Sequence, residues 1–185
     1  VHVTNGTQSH PNSQIYSPAK LNTIRPQESL EALKVLGIDH QVTIISLDLT
    51  DGEVFAQQAQ FYKKLAAIIQ PDDVLVTPFV HDGHPDHEAT GQVVATFAKQ
   101  QQLACYQVLI WAWHWAEPAD NRIPWSRAVR VDLNAEQLQR KTEAIACFKS
   151  QIESDTSTGN PPILSAQTIA RISQLWEVYL YEPNV

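Results

Sequence analysis

The sequence predicts an α/β fold, a Rossmann-like three-layer α/β/α sandwich with a mostly parallel sheet. Three observations predict it. Short runs of β-branched and other apolar residues alternate with longer segments of helical spacing, the signature of parallel strands joined by crossover helices. The chain has 185 residues, of which 43% are apolar, enough for one hydrophobic core. No internal repeat and no interdomain linker interrupts it, so residues 1–185 read as a single domain.

The elements follow in order. "VHVT" alternates like the tail of a strand, and "NGTQSHPNS" is a loop of Asn-Gly, Pro and small polar residues. "RPQESLEALKVLG" reads as a helix, with Pro26 in its first turn, Leu30, Leu33 and Leu36 as its apolar stripe and Gly37 as its stop. "VTIISL" reads as a buried strand, "EVFAQQAQFYKKLAAII" as a helix and "DVLVTP" as the next strand, closed by Pro78. Glu88 to about Gln101 is helical, and "YQVLIWAW" and "AVRVDL" are strands. "NAEQLQRKTEAIACFKSQI" is a helix capped by Asn134, "DTSTGNPP" is a loop, and "WEVYLY" is a last strand. In such folds ligands bind beyond the carboxyl ends of the strands, which is where the loop after "DVLVTP" falls.

Composition excludes several functions. Twenty acidic against 13 basic residues, a net charge of -7, argues against nucleic-acid and anionic-membrane partners. No apolar run approaches the ~20 residues that span a bilayer, and the N-terminus carries no signal-peptide pattern. Cys105 and Cys147 have no zinc spacing and read as buried free thiols, so a cytoplasmic protein is the expectation. The chain opens on Val1 and holds no methionine, so either it begins within a longer protein or modified residues are missing from it.

The chemistry concentrates in "HDGHPDHEATG", residues 81 to 91, which holds three of the seven histidines. With Pro85 opening a helix, His84 lies at the N-cap side and His87 one turn on, so both imidazoles can face one point. A neutral imidazole there can bind a metal, and Asp82 and Asp86 are candidates to orient one. The alternative is a solvated polar loop. Two histidines do not complete a catalytic zinc site, which needs three protein ligands and an open position.

"HPDHEATG" resembles the HPDH motif of the LmbE-like, or PIG-L, deacetylases, the zinc-dependent family of GlcNAc-phosphatidylinositol de-N-acetylase. "VTNGTQSHPNS", "RPQESLEALKVLG", "LDLTDG", "WAWHW" and "KTEAIACFKSQI" resemble further family segments, so the likeness covers nearly the whole chain. The resemblance implies His87 as a zinc ligand, His84 as oxyanion stabiliser and Asp86 as the residue that orients His84. It puts Arg25, Asp51 and His114 on the substrate side. The family's opening strand, with its His-Pro-Asp-Asp segment, has no counterpart here, so the resemblance implies that the first strand and the remaining Zn2+ ligands lie upstream of Val1. Asn5 stands where the family usually has Asp, which puts an acidic role there in doubt.

The bland readings stand beside these. Arg25 at a helix start would oppose the helix dipole, and a surface ion pair with Glu28 is its alternative role. Asp51 in "TDG" is explained by turn chemistry alone. Trp111, Trp113 and Trp115, alternating along a strand, share one face as core residues, with His114 on the other. His2 and His10 read as structural or solvated, and His40 as a surface residue.

The function expected is hydrolysis of an N-acyl group from an amino sugar or a glycoconjugate of one. A truncated carbohydrate-binding relative without activity, or another metal hydrolase such as a phosphoesterase, are the rivals. Oligomeric state is not readable.

Overall fold

A computed structural model describes residues 1–183. The chain divides into two compact units, Val1–Asp51 with Asp132–Leu175, and Gly52–Val131 with Trp176–Val185.

The first unit is mainly helical. Helix α1, Pro18–Leu36, starts a full turn and more before the expected point. Ser17 caps it, its Oγ accepting from the Lys20 amide at 3.3 Å, and Pro18 takes the first position, where a missing N–H costs nothing. Pro26 therefore sits inside the helix, not in its first turn. Arg25 is mid-helix as well, so the argument from an unfavourable dipole at a helix start does not hold for it. Gly37 ends α1 in the left-handed region, as the sequence suggests. The segment "VTIISL" forms no regular strand. His2 pairs with Ser46 in an isolated parallel bridge, with the His2 amide on Ile45 O and the Leu47 amide on His2 O, both at 2.8 Å. The contact continues only with the Leu49 amide on Val3 O at 3.0 Å, and Leu47 and Leu49 are buried by packing.

The second unit carries the four-stranded sheet. Helix α2 spans Gln58–Ala66 and strand β1 spans Leu75–Pro78. Helix α3, Pro85–Gln101, packs on β1 and on α2. Strand β2 is Cys105–Val108, and a single helical turn, α4, follows at Ala112–Trp115. Strand β3 is Ala128–Asp132.

The chain then adds α5, Ala135–Ile145, α6, Lys149–Ile152, and α7, Ala166–Ile172, to the first unit. Asn134 caps α5 in a reciprocal capping box with Gln137. The sequence reading has no counterpart for α7, whose seven residues are too few for a clear periodicity. Strand β4, Trp176–Glu182, closes the sheet.

The sheet order is β1-β2-β4-β3. β1 and β2 are parallel, Leu75 facing Cys105, but β4 runs antiparallel to β2, with Cys105 facing Glu182. The expectation of a mostly parallel sheet is therefore corrected: the fold is mixed α/β, mostly antiparallel with one parallel pair. "WEVYLY" was legible as a strand, but its direction is set by where the chain re-enters the sheet, which no local pattern encodes. "YQVLIWAW" is corrected too, because its tryptophan half is helical. Phe79, Leu109, Ala112, Ala116, Ile123 and Leu180 form the core beneath that turn, with Trp113 and Trp115 packed against them.

Gly91 explains the close seat of α3 on β1. A Cβ at that position would lie 2.5 Å from the Pro78 carbonyl oxygen, so any other residue would push the helix off the strand.

Candidate active site

The histidine loop joins the end of β1 to the start of α3. His84 is the N-cap of α3 and Pro85 its first residue, as the sequence arrangement implies. His87, one turn on, brings its ring to a centroid distance of 4.4 Å from that of His84, tilted by 31°.

Asp82 organises the loop. It is wholly buried, and burial by itself would favour the neutral acid. Burial pushes its carboxyl up, but the His87 imidazole and three backbone amides outweigh that effect and hold it below the usual carboxylate range. Oδ1 accepts from the amides of Ile110 at 2.9 Å and Ala112 at 3.0 Å, and Oδ2 from Trp111 at 2.6 Å. Three successive N–H groups at the opening of α4 thus converge on one anion, a nest at a helix start. This explains why the tryptophan run coils into a helical turn although its alternation suits a strand.

The same Oδ2 lies 2.6 Å from His87 Nδ1. With Asp82 ionised, Nδ1 carries the proton and donates it, which leaves the Nε2 lone pair as the open nitrogen of His87. The His87 side chain is 26% exposed, enough to meet a ligand. The sequence reading offered Asp82 only as an alternative to Asp86. Its signal was an aspartate in the loop after a strand, five residues before a histidine.

Asp86 is buried as well. Its carboxylate accepts from the Gly52 amide at 2.7 Å and the Val54 amide at 3.2 Å, pinning the turn before α2. His114 stacks on Trp111, centroids 4.3 Å apart at 27°, and Trp111 meets His84 edge-on at 5.6 Å. A continuous row of rings, His87, His84, Trp111 and His114, therefore lines this side of the unit. The helical turn produces it, since positions three apart share a face; on a strand, Trp111 and His114 would point to opposite faces.

Gly83 sets the shape of the loop. Its φ is +88°, and an added Cβ would approach Trp115 Nε1 to 2.8 Å. That indole N–H donates to the Asp82 carbonyl at 2.8 Å.

The two remaining predicted positions lie in the first unit. Arg25 is partly buried there, donating from Nη2 to Ser9 Oγ at 2.9 Å, and burial draws its guanidinium below the usual range against the pull of Glu28 and Asp51. Glu28 does not hydrogen-bond Arg25; it accepts from the Ser150 amide and hydroxyl, both at 2.7 Å. Asp51 accepts from Thr4 Oγ1 at 2.9 Å and the Gln8 amide at 2.7 Å.

Among the described residues, no group of three His, Cys, Asp or Glu side chains could hold a metal ion. The donor set fits one position of a metal site, the carboxylate-oriented His87, and not a whole one.

The sequence profile described as PIG-L: GlcNAc-PI de-N-acetylase matches residues 1–98. The chain belongs to the PIG-L family. The fold agrees with solved members of the deacetylase group. The A40926 pseudoaglycone deacetylase Dbv21 superposes with a TM-score of 0.60 at 20% identity, over 97% of this chain and 82% of that one. A triple mutant of the teicoplanin-pathway deacetylase Orf2 gives 0.63 at 17% identity, over 97% and 82%. The zinc-inhibited form of teicoplanin deacetylase Orf2 gives 0.61 at 17% identity, over 97% and 84%. No curated protein matches the chain. PIG-L membership connects the chain to de-N-acetylation, and among the described residues no helix is long and apolar enough to cross a membrane.

Proposed function

We propose that the protein is a metal-dependent N-deacylase that removes an acetyl group from an N-acylated amino sugar or a glycoconjugate carrying one. The observation that carries the reading is His87, whose Nδ1 is held by buried Asp82 while Nε2 stays open. A carboxylate that fixes the tautomer of an imidazole is the usual support of a metal-binding histidine. PIG-L membership and the deacetylase neighbours support the reaction class, and the neighbour solved in a zinc-inhibited form supports a metal-binding site in this fold.

The residues divide the work. His87 offers Nε2 to Zn2+, and the reading requires further ligands from outside the described residues. When bound, zinc supplies Lewis acidity toward the acyl carbonyl and acidifies its bound water. His84, beside His87, stabilises the oxyanion of the tetrahedral intermediate. Asp82 orients His87, and Asp86, which also holds Gly52 and Val54, orients His84 as the resemblance implies. His114, stacked on Trp111, enters as a substrate-side residue through the resemblance. Arg25 and Asp51 enter as substrate-side residues through the resemblance alone.

The test is acetate release from N-acetylglucosamine and its conjugates by the full-length protein, with metal analysis of variants. His87→Ala is expected to lose zinc and activity together. His84→Ala is expected to keep zinc and lose roughly 10²–10³-fold in turnover. Sugar binding without acetate release would favour a carbohydrate-binding relative, and phosphate release a phosphoesterase. Variants that change neither metal nor turnover would remove the loop from the active site.

A further inference from the structure

Beside the histidine loop, the second unit holds an open cleft of 540 Å³ lined by His81, Gly83, Trp115 and Arg122. Arg122 is 61% exposed, yet it is held on two sides. Its Cζ sits 4.1 Å over the centre of the Trp115 ring. Its Nε donates to Asp120 Oδ1 at 2.9 Å and its Nη2 to Asp120 Oδ2 at 2.5 Å, a paired fork. Asp120 is itself anchored, since its carboxylate also accepts from the Arg122 amide at 3.0 Å. Trp115 is fixed in turn by its hydrogen bond to the Asp82 carbonyl.

An exposed arginine ordinarily loses considerable side-chain entropy when it binds a ligand. Here that loss is met in advance, because the guanidinium plane is set by a ring on one face and a carboxylate along one edge. What remains is the Nη1 amino group, which has no partner among the described residues, and the outer face of the plane. Nη1 only donates, so the group it meets must accept. A carboxylate is, with phosphate, an acceptor whose geometry answers a guanidinium. The Trp115 N–H is already used, and Gly83, which also lines the cleft, has no room for a side chain, since a Cβ there would lie 2.8 Å from Trp115 Nε1.

We propose that Arg122, clamped by Trp115 and Asp120, is a specificity-determining residue that binds a carboxylate carried by the substrate beyond its acylated amino sugar. The proposal rests on the reading of the neighbouring loop as an amino-sugar deacylase site. Asp120 and Trp115 act as positioning residues, touching Arg122 and not the ligand.

The experiment is calorimetric binding of two matched sugars, N-acetylglucosamine and N-acetylmuramic acid, the second of which adds a lactyl carboxylate. The full-length protein is expected to prefer N-acetylmuramic acid by about tenfold, the scale of one charge-assisted hydrogen bond. Arg122→Ala should remove the preference, bringing N-acetylmuramic acid down to the affinity of N-acetylglucosamine. Asp120→Asn should reduce the preference only partly, since it frees the guanidinium without deleting it. Benzoate, a carboxylate without a sugar, is the second probe, followed by tryptophan fluorescence. Saturable benzoate binding that Arg122→Ala abolishes upholds the subsite even if neither sugar binds, in which case only the amino-sugar reading falls. A preference for N-acetylmuramic acid that survives Arg122→Ala overturns the proposal. So does the absence of any Arg122-dependent discrimination with either probe.

Discussion

Asp155 in the first unit and Asp82 in the second are both almost completely buried, and the two are used in opposite ways. Asp155, in the first unit, is 2% exposed and directs its carboxylate to its own neighbourhood. Its Oδ1 accepts from the Ser157 amide at 2.9 Å and the Ser157 hydroxyl at 2.6 Å, and the same hydroxyl receives the Gln14 amide at 3.0 Å. Asp82, in the second unit, is equally buried, but after collecting three amides it still faces a titratable ring. Both carboxylates are held ionised by donors. Only Asp82 passes the effect on to an open nitrogen. Buried charge therefore does not by itself mark a functional site; what the charge orients does. Asp51 fits the first pattern, since it spends its oxygens on loop donors.

Replacing Asp82 is the most severe way to break this comparison. Asp82→Asn keeps the shape but cannot accept from three amides and His87 as an anion. Stability is expected to fall by about 3 kcal/mol, the scale of a disrupted buried charge network. Deacetylase turnover or metal affinity should fall roughly 10–100-fold, as for other partners of ligating histidines. Urea unfolding and metal titration on the same preparation check both. A variant with normal stability and normal metal affinity would mean that Asp82 orients nothing.

Gly91→Ala probes the seat of the loop rather than its charge. The added Cβ meets the Pro78 carbonyl at 2.5 Å, so α3 must shift on β1, and a loss of about 1–3 kcal/mol is expected. Because α3 begins at the histidine loop, activity should fall more than stability alone explains. Thermal unfolding alongside turnover separates the two effects.

Asp155 gives the mildest effect and sharpens the contrast through pH. Hydrogen bonds from the Ser13 and Ser157 side chains hold its carboxyl down at about 2, against an ordinary value of 3.8. A depressed carboxylate contributes stability above the unfolded value, and that contribution is lost as pH falls from about 4 toward about 2. Asp155→Asn should flatten the acid limb of the stability curve in that window. Activity near neutral pH should stay as in the parent, measured by acetate release.

Much of this molecule can be read from local sequence, because some features depend only on neighbours along the chain. Pro85 and the residues around it imply a helix start with His84 and His87 one turn apart, and the chain folds so. Asn134 with Gln137 announces a capping box, and "DVLVTP" announces β1. Helix entry, capping and short-range ring spacing are fixed by a few adjacent dihedrals and hydrogen bonds. The family likeness, carried by motifs spread along the chain, was legible for the same reason.

Tertiary structure alone decided the rest. The stretch from Trp111 to Trp115 alternates like a strand, yet it coils because the carboxylate of Asp82, far back in the sequence, gathers the amides of Ile110, Trp111 and Ala112. That Asp82 meets the His87 imidazole depends on which side chains the folded loop turns inward. The antiparallel seat of β4 on β2, and the failure of "VTIISL" to extend beyond one bridge, depend on which strand edges the folded chain brings together. These are long-range contacts, and an alternation of apolar residues constrains only which face is buried, not which partner buries it.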